Sequence, residues 1–217
     1  MNAIPYLLRP LHHIALASAS PRRRELLMSI GLRVDVIASA YAEFPLPDHT
    51  PRALAIAHAR GKAAGAARAP VLVVAADTVV DLDGTALGKP RDLAESRSMI
   101  ERLSGRVHDV HTAFTLRDDR TGQMLTECRT TRVRFAELSS AQIAAYVASG
   151  DGLDKAGAYG IQGFAATLVE AVDGDYFTVV GFPLAAFAAA IAQFGYELLP
   201  PGATDGCRAV HPPEVLA

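Results

Sequence analysis

The spacing of hydrophobic positions changes along the chain, and segments with the period of a strand alternate with segments with the period of a helix. Caps, prolines and glycines mark where the helices begin and end. The pattern predicts strands over 14–17, 33–37, 71–76, 110–116, 125–135, 167–172 and 177–180. It predicts helices from the Ser20 cap to Gly31, from Thr50 to about Arg68, from Asp92 through Leu103, from Ser139 to Gly150, and from Pro183 to Phe194.

Two Asp-Gly pairs, Asp83-Gly84 and Asp173-Gly174, predict hairpin turns between neighbouring strands. Other strands are joined through a helix, as in parallel crossover units. A chain with both kinds of connection is typical of the α/β class. We therefore expect a mixed β-sheet flanked by helices.

The segment 18–24, Ser-Ala-Ser-Pro-Arg-Arg-Arg, follows a predicted strand and opens a predicted helix. Free backbone N–H groups, two hydroxyls and three guanidiniums form a good anion site there. The alternative is a capped helix with a solvated basic first turn. Because three arginines in a first turn oppose the helix dipole, the pattern favours a phosphate site.

Asp77 and Thr78 come directly after the apolar run 71–76, which is typical of a strand buried on both faces. We expect the strand to end there. Ligands in open α/β sheets lie beyond the carboxyl ends of strands, so Asp77 is a candidate to hold a divalent metal or to activate water. The alternative is an aspartate that caps the following turn.

Two glycine-containing segments add weaker signals. Residues 84–89 superficially match a P-loop, but the spacing is wrong and Pro90 prevents the required helix, so only Lys89 stays a candidate phosphate contact. In the loop 154–163, three glycines allow close backbone approach to a ligand, and Gln162 is suited to read a base edge. The alternative is a plain glycine loop. Glu43 and Lys62 carry no assignment on residue type alone.

Composition narrows the class of protein. The chain has 217 residues, 50% of them hydrophobic and 20% charged, with a net charge of −2. These values exclude a disordered chain and argue against a globally basic nucleic-acid binder. No apolar run is long enough to span a membrane. Two distant cysteines exclude a disulfide scaffold and favour a reduced, cytoplasmic protein. We expect an extension over 1–12, one domain of two lobes over 13–199, and an irregular tail over 200–217.

Taken in order, these motifs resemble the Maf-like nucleoside triphosphate pyrophosphatases over roughly residues 13 to 195. The segments that carry the resemblance are 16–23 (LASASPRR), 76–80 (ADTVV), 88–92 (GKPRD), 103–105 (LSG), 130–133 (TTRV), 146–147 (YV), 154–163 (DKAGAYGIQG) and 179–184 (VVGFPL). Within the family, residues 76–78 and 155–163 look like the branch that acts on dTTP and UTP.

The resemblance implies an elongated mixed α/β fold like that of inosine triphosphatases, with two lobes, a central cleft and a homodimer. It implies hydrolysis between the α and β phosphates, with Mg²⁺ or Mn²⁺ as the divalent cation. Asp77 matches the family's proton acceptor, and Arg22, Thr78 and Gln162 match its substrate-selecting positions. The positions that match the phosphate and metal shell are Ser18, Ser20, Arg23, Glu43, Lys62 and Lys89, with Asp77 and Glu43 as the metal ligands.

Two positions depart from the family's pattern. Ala42 stands where the family often has the first of an acid pair, and Gly61 stands where a glutamate often precedes the helix lysine. A competing hypothesis is a non-enzymatic regulator of septum formation that binds nucleotides or nucleic acid. The near-neutral charge and the lack of interleaved aromatic residues argue against nucleic acid.

Overall fold

The computed structural model describes residues 8–44 and 46–200 of the chain, and its centre is a seven-stranded sheet with helices on both faces. The strands are β1 (Arg9–Pro10), β2 (His13–Leu16), β3 (Arg33–Val36), β4 (Leu72–Leu82), β5 (Thr85–Leu87), β6 (Val107–Arg117), β7 (Met124–Phe135), β8 (Val169–Asp173) and β9 (Tyr196–Glu197). The helices are α1 (Pro21–Ser29), α2 (Pro51–Ala64), α3 (Leu93–Leu103), α4 (Ser140–Ala148), α5 (Tyr176–Val180) and α6 (Leu184–Ala190). Short 3₁₀ turns occupy Ala156–Ala158, Gly163–Leu168 and Ile191–Phe194.

The sheet is mixed, which confirms the predicted fold class. Its order is β3-β2-β4-β6-β7-β8, with β5 paired to β4. The pairs β2–β3 and β2–β4 are parallel, whereas β4–β5, β4–β6, β6–β7 and β7–β8 are antiparallel. The parallel pairs come from helical crossovers. The antiparallel pairs β4–β5 and β6–β7 are joined by short turns, whereas α3 lies between β4 and β6 and α4 lies between β7 and β8.

The sheet has a gap along one edge of β4. Strand β2 pairs with β4 only over Leu72–Val74, and β5 pairs with it only from Val80. The prediction that the strand ends before Asp77 is wrong, because β6 pairs with β4 continuously from Val73 to Asp81. It is β2 that ends early. Asp77 therefore lies within a strand, at the place where that strand loses its parallel neighbour.

Helix α2 covers one face of the sheet. Its buried alanines pack against the odd-numbered residues Val73, Ala75 and Val79 of β4. Those alanines are Ala55, Ala59 and Ala63. Since successive side chains of a strand point to opposite faces, Asp77 faces α2 and Thr78 faces the other side. The larger core lies on that other side, where α1, α3, α4 and α6 pack against the sheet.

The hairpin predicted at Asp173-Gly174 does not form. Strand β8 ends at Asp173, and the residues that follow make the helix α5. Asp175 supplies the cause, because its carboxylate accepts hydrogen bonds from the backbone N–H groups of Phe177 and Thr178. A satisfied N-terminal cap outweighs the strand preference of the aromatic and β-branched residues in this segment.

The two ends of the described chain meet. Strand β1, which lies within the predicted extension, pairs in parallel with β9. The predicted tail lies outside the described residues from position 201 onward, so the division at 1–12, 13–199 and 200–217 stays a prediction. Among the described residues, no helix is long and apolar enough to cross a membrane.

Arg117 ties the end of α2 to the sheet. Its buried guanidinium donates hydrogen bonds to backbone carbonyls at the end of α2 and just beyond it, and it pairs with Asp119 at 2.8 Å. Those carbonyls belong to Ala63, Ala64, Ala66 and Ala67. Because the last carbonyls of a helix have no partner within the helix, this one side chain supplies donors to several of them at once.

Replacing Arg117 by Met is expected to lower the free energy of unfolding by about 3 kcal/mol, since it removes hydrogen bonds to the carbonyls and leaves the Asp119 carboxylate without its ion-pair partner. Urea denaturation measures the change. The control is Arg129→Met, which removes an exposed pair with Glu127 and should cost less than about 1 kcal/mol. Equal effects of the two substitutions would contradict the assigned role of Arg117.

Candidate active site

Asp77, Lys62 and Glu43 form a charged group at the gap in the sheet. Lys62 lies in the last turn of α2 and reaches across to β4. Its Nζ lies 2.6 Å from Asp77 Oδ1 and 2.6 Å from Glu43 Oε1. One ammonium thus bridges two carboxylates, and no described residue donates a hydrogen bond to Asp77 Oδ2. Asp77 is 7% exposed, so its carboxylate combines burial with one uncommitted oxygen.

The electrostatics of the group favour an ionised Glu43. Burial raises the pKa of the Glu43 carboxyl, but the hydrogen bond and charge of Lys62 outweigh burial and hold that pKa below its ordinary value. Mg²⁺ is usually held by one or two carboxylates together with substrate phosphates and water. Asp77 and Glu43 fit that pattern. The described residues contain no cluster of three or more acidic, histidine or cysteine side chains that would hold a metal alone.

The start of α1 lies beside this group. Ser20 is the N-cap and Pro21 takes the first position, as predicted, but the Ser20 hydroxyl makes no capping bond. The backbone N–H of Ser20 instead donates to Ser18 Oγ at 3.3 Å. The helix start therefore keeps unsatisfied N–H groups and a hydroxyl beside the cleft. These are the groups that bind anions.

Arg22 and Arg23 play different parts. Arg22 Nη1 donates to Asp154 Oδ2 at 3.2 Å, and the Arg22 side chain is 26% exposed. Arg23 is buried, and burial lowers the pKa of its guanidinium. Its N–H groups donate to Ser18 Oγ at 3.0 Å, Thr78 Oγ1 at 3.0 Å and the Gly181 carbonyl at 2.9 Å. Arg22 is thus placed to exchange Asp154 for a ligand. Arg23 is buried in the wall of the cleft, with its N–H groups already bonded to protein oxygens.

Thr78 is held on the face of the sheet opposite Asp77. The Thr112 hydroxyl donates to the Thr178 carbonyl at 2.7 Å, so its single proton is committed. The Thr78 hydroxyl, 2.9 Å from Thr112 Oγ1, must therefore be the donor in that pair. Since Thr78 also accepts from Arg23, only acceptor capacity is left for a ligand.

The far wall of the cleft consists of the β5 end and the glycine loop 154–163. Gly157 N donates to the Gly88 carbonyl at 3.0 Å, which fastens the two segments together. Gly157 has φ of 68°, and a Cβ there would lie 2.9 Å from Val80 Cγ2. Glycine is required here both for the left-handed backbone and for the close approach to β4.

A buried aromatic group anchors the same loop. Tyr159 Oη lies 2.7 Å from His108 Nε2, and its ring packs edge-on against Phe135 with centroids 4.7 Å apart. Burial lowers the pKa of His108 to about 4. The anchored loop presents Gln162 to solvent at the cleft. The Gln162 amide makes no hydrogen bond within the described part of the chain.

Ten of the residues singled out from the sequence line one cleft of about 1270 Å³, whereas Arg24, the third arginine of the predicted anion site, is exposed and does not line it. They are Ser18, Ser20, Arg22, Arg23, Glu43, Lys62, Asp77, Thr78, Lys89 and Gln162. Lys89 is exposed there and has no ion pair among the described residues. The structure thus brings these positions together, and their individual roles stay predictions.

Sequence reasoning gave no role to Tyr41 and His58, which line the cleft. His58 precedes Lys62 by one helical turn, a spacing that could have placed it on the same face of α2. Asp154 opens the predicted glycine loop, but its pairing with Arg22 was not predicted. Tyr41 lies in a segment without regular periodicity, so the pattern offered no signal for it.

Comparison with known proteins identifies the family. The model of the family described as "Maf-like protein" matches residues 13–194. The chain belongs to the Maf-like protein family. This Maf-like chain is 49% identical over 186 residues to a dTTP/UTP pyrophosphatase of Thermus thermophilus, a match that covers 85% of the chain and 96% of that relative.

Other relatives carry the same name. A dTTP/UTP pyrophosphatase of Moorella thermoacetica is 47% identical, with 85% of this Maf-like chain and 96% of the relative covered. One of Geobacter metallireducens is 46% identical, with 79% and 90% covered. Among solved structures, a HAM1 protein from Coxiella burnetii matches 59% of this chain and 75% of its own at 18% identity and a TM-score of 0.41. The family assignment rests on the sequence matches.

The buried His108 of this Maf-like protein should make its stability depend on pH. An unfolded histidine has a pKa near 6.5, so the unfolded chain binds a proton as the pH falls from about 6.5 to 4, while folded His108 resists it. The free energy of unfolding should fall by about 3 kcal/mol across that window on account of His108. Denaturation curves of the wild type and His108→Gln measure it.

The expected result is a shallower fall of stability with pH in His108→Gln. His49→Gln is the control, because His49 is exposed on a loop and its removal should leave the wild-type slope unchanged. Parallel pH profiles for the wild type and His108→Gln would contradict a buried neutral His108.

Proposed function

We propose that the protein is a nucleoside triphosphate pyrophosphatase that hydrolyses dTTP and UTP to the monophosphate and pyrophosphate. The observation that carries the proposal is the placement of Asp77, with its Lys62 partner, in the same cleft as the arginine-bearing start of α1. The names of the relatives support the substrate class. Removal of unwanted nucleotides from cellular pools is the corresponding role, with modified pyrimidine triphosphates as further candidate substrates.

Binding of the triphosphate is a problem of charge neutralisation. Arg22 would exchange Asp154 for a phosphate, and the unpaired ammonium of Lys89 would contact the tail from the opposite wall. Ser18, Ser20 and the N–H groups at the start of α1 would hold phosphate oxygens. Arg23 would act indirectly, because three of its N–H groups already hold protein oxygens.

Asp77 would act as the proton acceptor. Its Oδ1 accepts from Lys62, and Oδ2 is the oxygen that would orient the attacking water and take its proton. The water oxygen forms a new bond to phosphorus, the bridge between the α and β phosphates breaks, and pyrophosphate leaves. Lys62 would hold the Asp77 carboxylate in place through its 2.6 Å hydrogen bond while this occurs.

A divalent cation, Mg²⁺ or Mn²⁺, is part of the proposal. Asp77 and Glu43 would hold it, since both carboxylates lie at the mouth of the gap in the sheet. The cation would supply further neutralisation of the phosphate oxygens. The chain's own contribution is to keep the two carboxylates adjacent, which Lys62 does through its two short ion pairs.

Base selection would come from Gln162 and Thr78. A free amide offers one donor and one acceptor, which match the O4 and N3–H of thymine or uracil. Thr78 can only accept, because its proton is donated to Thr112. Cytosine presents the reverse pattern on this edge and would leave polar groups of the cleft unpaired.

The alternative, a non-enzymatic regulator of septum formation, would use the same cleft for binding only. Within the described part of the chain, the cations of the cleft other than Lys89 already have protein partners, which argues against nucleic acid as the ligand of the cleft. Retention on DNA that falls with salt, without nucleotide turnover, would favour that alternative.

We further infer a homodimer in the cytoplasm, as the family resemblance implies. Light scattering of the purified protein tests the assembly.

Asp77→Asn should lower pyrophosphate release from dTTP and UTP at least about 100-fold in the presence of Mg²⁺, because the amide cannot accept the proton. A coupled pyrophosphate assay measures it. Asp83→Asn is the control, since Asp83 is an exposed turn residue outside the cleft. Near-full activity of Asp77→Asn would overturn the role of Asp77, and release of orthophosphate in place of pyrophosphate would overturn the reaction.

Gln162→Leu should lower kcat/KM for dTTP about tenfold and that for dCTP much less, because it removes the amide that distinguishes the two bases. Steady-state kinetics with both nucleotides give the ratio. The exposed Gln193 offers a matched control, and Gln193→Leu should leave the ratio unchanged. An unchanged ratio in Gln162→Leu would place base selection elsewhere.

A further inference from the structure

The segment that carries Glu43 is irregular and is held against α2 by individual contacts. Ser39 Oγ donates to the Lys62 carbonyl at 2.9 Å, and Ala40 N donates to the Gly65 carbonyl at 2.9 Å. The next residue, Tyr41, donates its backbone N–H to Ser39 Oγ at 3.2 Å. These contacts fix the segment up to Tyr41, two residues before the carboxylate that meets Lys62.

Tyr41 occupies a notch on α2. A Cβ at Gly61 would lie 2.2 Å from Tyr41 Cε2 and 2.5 Å from Cδ2, so the ring fills the space that any other residue at 61 would need. The Tyr41 hydroxyl lies 2.8 Å from Nδ1 of His58, a buried residue almost one turn earlier. The notch, made of Gly61 and His58, thus holds both the ring and the hydroxyl.

The notch adjoins the charged group of the cleft from two directions. Gly61 directly precedes Lys62 along α2, and Tyr41 precedes Glu43 by two residues along the irregular segment. Burial raises the pKa of the Tyr41 hydroxyl, and the charges of Glu43 and Asp77 raise it further, so it stays protonated beside them. Glu43 itself is exposed, and Lys62 is its only ion-pair partner among the described residues.

We propose that Tyr41 is a positioning residue, which holds Glu43 on Lys62 by seating its ring on Gly61 and its hydroxyl on His58. It contacts no substrate in this role and acts through Glu43. Without the seated ring, the exposed carboxylate would lose its fixed approach to Lys62, and the two carboxylates would no longer be held together. The inference rests on the proposed function for its kinetic consequences and on geometry alone for its structural ones.

The kinetic test uses substitutions at both sides of the notch. Tyr41→Ala should lower kcat/KM for dTTP about tenfold, the order expected when a charged group is displaced by about 1 Å or less. Gly61→Ala should cause a similar loss although it raises helix propensity, because its methyl group expels the ring. The double variant should be no worse than Tyr41→Ala, and Tyr41→Phe, which keeps the ring, should stay within about threefold of the wild type.

The decisive comparison is made in a Glu43→Gln background. If Tyr41 acts through Glu43, Tyr41→Ala should there change kcat/KM by less than about twofold. A loss equal to that in the wild type would overturn the proposal, as would a fully active Tyr41→Ala. Tyr176→Ala removes an exposed tyrosine outside the cleft and serves as the control, with no change expected.

A crystal structure of Gly61→Ala separates this inference from the proposed function. It should show the Tyr41 ring out of the notch and Glu43 withdrawn from Lys62, whatever nucleotide the protein hydrolyses. Glu43 still within hydrogen-bonding distance of Lys62 after the ring has moved would overturn the positioning role. If the wild type does not turn over dTTP or UTP, the proposed function fails, and the crystal structure still decides the role of Tyr41.

Discussion

The early end of β2 is the constraint on which the rest of the site depends. Strand β4 continues for eight residues beyond Val74, the last residue that pairs with β2, but β5 joins it only at Val80. Between Val74 and Val80, β4 has no neighbouring strand on the edge opposite β6. A strand that lacks a neighbour on one edge exposes its backbone there, together with side chains of both faces. That is why Asp77 and Thr78, which point in opposite directions, both line the same cleft. Ser18 and the start of α1 follow directly from the end of β2 and so arrive at the same gap.

The charges of the cleft are arranged so that each cation other than Lys89 is held by protein oxygens. Lys62 bridges two carboxylates, Arg22 pairs with Asp154, and Arg23 binds two hydroxyls and a carbonyl. This arrangement reconciles a net charge of −2 with an anionic ligand. A compact triphosphate needs a few well-placed cations that can exchange partners, and a wide positive field is unnecessary. The acids Asp77, Glu43 and Asp154 keep Lys62 and Arg22 in position.

Much of this organisation was predictable from local signals. The helix caps, the glycine stops and the apolar runs identified most elements, and the arginine-rich helix start and Asp77 identified the cleft. The failures have a common physical cause, which is information held outside the local pattern. The length of β4 is set by pairing with β6, and the helix at Tyr176–Val180 is set by the Asp175 cap, against the strand preference of its own residues. Residue type alone gave Lys62 no assignment, because its partners come from β4 and from an irregular segment.

Gly61 and Ala42 gain a physical meaning from the same contacts. On the family pattern both positions often carry acids, and their loss taken separately would weaken the charged group around Lys62. The structure shows that a side chain at 61 is incompatible with the present position of Tyr41, since its Cβ would overlap the ring. The glycine at 61 and the ring of Tyr41 therefore form one packing unit, in which the ring takes the volume that a side chain at 61 would need. A glutamate at 61 would bring a further charge to Lys62 but would need the space of the ring, whereas glycine leaves the ring packed on α2 beside the segment that supplies Glu43.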